Sequence, residues 1–123
     1  NKNEEHPPEI DAIKRCVCEN IDVFKKYNAF NSNEIQIFID KPIIDMRTSN
    51  PQYHIWNILK NKRKDENERI VALFQTLYKV RCNLFHGSKS VRQDRDKKLV
   101  KASSVILGEY LKVFLEEHND MRG

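Results

Sequence analysis

The run Ile70-Val71-Ala72-Leu73-Phe74-Gln75-Thr76-Leu77-Tyr78-Lys79-Val80-Arg81-Cys82-Asn83-Leu84-Phe85-His86-Gly87 decides the fold class. Ile70, Leu73, Phe74, Leu77, Val80, Leu84 and Phe85 recur at three- and four-residue intervals, the spacing of one buried helical face. Asp65, Glu66 and Glu68 suit the positive end of a helix dipole, and Gly87 suits a helix end because glycine accepts positive φ. A helix over 65–85 is therefore expected. Arg81 interrupts the pattern. At ~100° per residue it falls within roughly 20° of Ile70, near the middle of the apolar stripe, where an unpaired guanidinium is costly. Either a carboxylate or the rim of the core receives it, or it belongs to a functional site.

Working outward, residues 94–118 repeat the helical pattern. Leu99, Val100, Ser103, Ile106, Leu107, Tyr110, Leu111 and Phe114 form a face wide enough for contacts on two sides. Upstream, Ile10, Ile13, Val17, Ile21 and Phe24 predict a first helix that starts after Pro7-Pro8 and runs to about Tyr27 or Phe30. Asn31-Ser32-Asn33 reads as a turn or cap. Residues 35–45 leave strand and buried helix open, and Pro42 and Pro51 predict irregular structure between them. A short helix over about 52–62 carries Ile55, Trp56 and Leu59 inward. The fold class is thus all-α: a small bundle of four to five helices, with an irregular or strand-like insertion around residues 35–50. The expected organisation is a flexible start (1–8), one helical domain (9–118) and a tail (119–123).

At 123 residues, one compact domain is expected. No apolar run approaches the ~20 residues of a membrane span, and no signal-peptide pattern opens the chain. Cys16, Cys18 and Cys82 are odd in number, and reduced thiols in a cytoplasmic protein are the simplest reading. There is no HExxH, no paired Cys-x-x-Cys and no carboxylate cluster, so neither a metal nor a cofactor is expected. Gly87-Ser88-Lys89 lacks the upstream glycine of a phosphate-binding loop. His6, His54 and His118 read as surface or packing residues.

Charge is uneven. The net charge is +4, yet residues 79–101 hold eight basic residues (Lys79, Arg81, Lys89, Arg92, Arg95, Lys97, Lys98, Lys101) against Asp94 and Asp96. The excess gathers around Arg81 and the loop behind it, as the landing site of a polyanion requires. Lys60, Lys62, Arg63 and Lys64, followed by Asp65, Glu66 and Glu68, read instead as a solvated linker or helix end.

Val80-Arg81-Cys82-Asn83-Leu84-Phe85-His86-Gly87-Ser88-Lys89 resembles the R-x4-6-H signature of the HEPN superfamily (higher eukaryotes and prokaryotes nucleotide-binding), in which the motif ends one helix of a small bundle ahead of a loop and a final helix. The close resemblance covers about ten residues, and a looser one covers the second half of the chain. It implies a metal-independent endoribonuclease acting as a homodimer, of the kind found in toxin–antitoxin and phage-defence systems, with an antitoxin or other regulatory partner. Arg81 would stabilise the scissile phosphate and His86 would serve as general acid or base. At a helix C-terminus the imidazolium form is favoured. The family usually carries a polar residue directly after the arginine; here it is Cys82, expected to be a packing residue, and Asn83 one place later would assist through its amide. Lys79, Lys89, Arg92 and Arg95 are the expected RNA contacts. The alternatives are a non-catalytic nucleotide-, RNA- or protein-binding module of the same fold, and a purely structural helical dimer.

Overall fold

The computed structural model describes residues 8–86 and 94–122, with side chains for 8–85 and 94–118. Among these residues the chain is a helical bundle: α1 (Pro8–Glu19), α2 (Ile21–Phe24), α3 (Gln36–Asp40), α4 (Tyr53–Lys60), α5 (Glu66–His86) and α6 (Asp94–Arg122). Two single 3₁₀ turns, Ala29–Asn31 and Asn33–Ile35, lead into α3. A minimal antiparallel ribbon, β1 (Ile44–Asp45) and β2 (Asn50–Pro51), joins α3 to α4, with Ile44 opposite Pro51 and Asp45 opposite Asn50. The all-α class and the strand-like insertion are as read from the sequence. The helix count is higher because α1 and α2 are separate and residues 36–40 form a short helix.

The split at Asn20 corrects the single first helix. The Asn20 amide donates to the Cys16 carbonyl at 2.8 Å, competing with the backbone ladder, and the chain leaves helical geometry at φ −119°, ψ 27° before α2 begins. α2 then turns Phe24 into the core. There Phe24 meets Phe74 (4.8 Å between centroids), Phe114 (4.9 Å) and Tyr110 (5.5 Å) in edge-on or tilted contacts.

The core runs along α5 and α6 through Ile70, Leu73, Leu77, Leu99 and Ile106, closed by Val17 of α1, Phe38 of α3, Ile43 and Leu59 of α4. Polar side chains close the short elements. Trp56 donates its indole N–H to the Ile39 carbonyl (2.9 Å). Arg69 donates through Nε and Nη2 to the Leu59 carbonyl at the end of α4 (3.0 and 2.9 Å), and its guanidinium lies 4.1 Å from the Phe30 ring centre. Among the described residues no helix is long and apolar enough to cross a membrane. α6 continues as helix through Arg122, into the stretch expected to be a tail.

Candidate functional site

α5 is described through His86, so the segment that carries the motif is helical up to and including the histidine. Arg81 corrects the opening expectation: it is exposed, not buried in the stripe. An ideal wheel assumes one buried face along the whole helix. Here that face rotates from Ile70 and Leu73 toward Thr76 and Val80 as α5 proceeds. Leu84 and Phe85, expected in the core, are 44% and 66% exposed. Arg81 needs no buried partner. Its guanidinium carbon lies 4.9 Å from the Phe85 ring centre and 6.0 Å from that of Tyr78.

The other expected site residues divide sharply. Asn83 is a clasp. Its Nδ2 donates to the Ile44 carbonyl (2.7 Å) and its Oδ1 accepts from the Met46 N–H (2.9 Å), so one amide serves both polar groups of the ribbon's edge. One turn earlier, Lys79 meets the Asp45 carboxylate at 3.0 Å, with the two side chains only 14% and 9% exposed. Arg95, half-buried at the start of α6, donates to the Lys41 carbonyl at 3.0 Å; burial holds its pKa below the usual guanidinium value, against the opposing charges of Asp40 and Asp96. Asn83, Lys79 and Arg95 thus face the 37–46 segment, and the expected catalytic and RNA-binding roles meet side chains already engaged in holding the fold. Lys89 and Arg92, like the side chain of His86, lie outside the described residues. Lys97, Lys98 and Lys101 are exposed on the first turns of α6. They stood within the basic cluster of the sequence, and helical phase alone would have ranked them above Arg95 as surface cations.

Asp45 organises the ribbon from the other side. Burial would raise its carboxyl pKa, but the Arg47 backbone N–H (2.9 Å to Oδ1) and the Lys79 ammonium outweigh it and hold the group below its ordinary value. The Asp45 carbonyl also accepts from Ser49 N–H (2.7 Å), closing the loop with Ser49 at φ 64°, a left-handed conformation that costs a non-glycine residue about 1 kcal/mol. Asn83→Leu strips the ribbon edge of both side-chain partners. It is expected to cost about 1–2 kcal/mol, read as a lower urea midpoint at unchanged m-value.

Cys82 is half-buried, and its thiol first, with burial second, raises the Tyr78 phenol above its usual pKa. A crevice lined by Met46, Val80, Asn83, Leu84, Asp96, Leu99 and Val100 holds ≈ 20 Å³, room for about one water. Small-molecule sites take ~300 Å³ or more, far above this crevice. Among the described residues no three His, Cys, Asp or Glu side chains are grouped to hold a metal ion. Comparison with family models, curated proteins and solved structures finds no match to this chain.

Proposed function

We propose that the chain is a metal-independent endoribonuclease of the HEPN type, acting in the cytoplasm as a homodimer, in the manner of a toxin or phage-defence effector held in check by a partner. The observation that carries the reading is the R-x4-H motif on the last described turns of a long bundle helix, with Arg81 exposed there. The surplus of positive charge over residues 79–101 supports it.

RNA contains its own nucleophile. The 2′-OH attacks phosphorus, the bond from phosphorus to the 5′-oxygen breaks, and the products are a 2′,3′-cyclic phosphate and a 5′-OH. The protein has only to move one proton off the 2′-oxygen, deliver one to the leaving oxygen, and stabilise the charge on the phosphoryl oxygens between those events. His86 is assigned the proton transfers and Arg81 the charge. The two residues stand five apart on one continuous helix, about 140° of turn. A pair that acts on one phosphate is therefore assembled more readily from two copies than from one, which supports the dimer.

Incubation of the purified chain with single-stranded RNA in EDTA is expected to yield fragments ending in a cyclic phosphate. RNA that is bound but keeps its length would identify the non-catalytic binding module instead. RNA neither bound nor cut would leave the structural dimer.

A further inference from the structure

Phe85 is the most exposed of the large apolar side chains among the described residues, at 66%. A single exposed apolar side chain is ordinary, but this one is part of a row. Tyr78, Arg81 and Phe85 follow one another at i, i+3 and i+7 along one edge of α5, ring, guanidinium, ring, with separations of 6.0 and 4.9 Å between the guanidinium carbon and the two ring centres. Residues at these spacings lie on one side of a helix. Among the described residues no carboxylate pairs with Arg81, so its N–H donors stay available for an external anion. The Asn83 and Lys79 side chains, each two residues away from Arg81, are taken up by the ribbon. The exposed chemistry of this helix edge is therefore a planar cation beside the open Phe85 ring, with the half-buried Tyr78 ring on its other side.

That combination fits an unpaired nucleobase and its phosphate. A base presents a π-face that stacks on an aromatic ring whatever its identity, and the adjoining phosphate supplies the anion for a guanidinium beside that ring. Paired RNA hides its base faces inside the helix and offers mainly phosphates and 2′-hydroxyls. We infer that the Tyr78–Arg81–Phe85 row is a binding site for one unpaired RNA nucleobase, stacked on Phe85, with its phosphate on Arg81. The inference rests on the ribonuclease reading for the identity of the polymer and adds to it a selection for single strands.

The test is equilibrium binding of a short 2′-O-methyl oligouridylate, which lacks the nucleophile and so cannot be cut, at one fixed salt concentration. The same oligomer annealed to its complement and an abasic oligomer of equal charge serve as comparisons. Phe85→Leu keeps an apolar side chain and removes the ring; it is expected to weaken single-strand binding by about 5- to 150-fold, while Phe85→Tyr binds like the parent. The abasic oligomer should bind parent and Phe85→Leu equally. Because Phe85 is outside the core, both variants should melt with the parent. Equal affinity of parent and Phe85→Leu for the single strand overturns the stacking site, as does equal binding of single strand and duplex. So does loss of self-association by Phe85→Leu with binding per subunit intact, which would make the ring a protein contact. If Phe85-dependent binding is found and the natural RNA stays whole, the nuclease reading fails and the stacking site stands. If RNA is cut with no dependence on Phe85, the reverse holds.

Discussion

Replacing His86 by alanine is expected to slow RNA cleavage by about 10²–10⁴-fold, the usual contribution of a positioned general acid or base. Arg81→Ala should slow it by about 10²–10³-fold, the loss that follows removal of one preorganised donor to a developing oxyanion. Arg81 should tolerate the change structurally, because it is exposed and without an ion pair among the described residues. Thermal melts matching the parent would establish that the loss is chemical. Mixing the two inactive variants carries more information than either alone. If the phosphate sits between an arginine of one copy and a histidine of the other, a mixed dimer retains one intact pair, and cleavage returns on mixing. Unchanged rates in His86→Ala, or mixed variants that stay inactive despite demonstrated exchange of subunits, would refute the shared cleft.

The second large effect is on stability. Asp45→Asn leaves the Lys79 ammonium, 14% exposed, without its counter-charge and weakens the acceptor for the Arg47 N–H. Removing one member of a largely buried pair costs about 3 kcal/mol, a sizeable share of the ~5–15 kcal/mol that holds a domain together, and lowers the melting temperature by roughly 10 °C. The sign of the pH dependence follows from the folded-state pKa of Asp45, which lies below its ordinary value of 3.8. The unfolded chain binds this proton more readily, so the contribution is complete above the unfolded pKa and disappears as pH falls through the folded one. Urea unfolding of parent and variant should therefore differ fully at neutral pH and converge in acid below about pH 4. A difference that persists undiminished in acid would show that the carboxylate charge is not what holds the ribbon. The same geometry predicts that Lys79→Met destabilises the fold without lowering the salt dependence of RNA binding, because its ammonium is occupied by Asp45 and releases no counterions on RNA.

Long-period features were legible in the sequence. The start of α5 at Glu66 falls next to the expected boundary, and the described α5 and α6 cover the expected spans, since acidic first turns and a continuous 3.6-residue pattern act locally. The role of Asn20 was not legible, because a side chain that takes its own helix's carbonyl reads like any polar residue on a solvated face. The ribbon was anticipated only as irregular chain between two prolines. What makes it a ribbon is Asp45, Lys79 and Asn83, partners 34 and 37 or more residues apart whose pairing has no periodicity to betray it. On α6 the wide apolar face divides: Leu107 and Leu111 are 44% and 59% exposed, because the face that α6 buries within the chain is centred on Ile106 and Tyr110.

By itself the sequence determined the helical class, the position of the long helices, the concentration of positive charge and the motif that α5 carries. These are local properties, set by side-chain period, helix-end chemistry and composition. Only the tertiary structure decided which members of the charged cluster are free. Arg81 stands exposed with no carboxylate partner among the described residues, whereas Lys79, Asn83 and Arg95 are bound to the 37–46 segment that packs against α5 and α6. A neighbour's reach, and not the residue's own helical phase, separates a surface cation from a structural one.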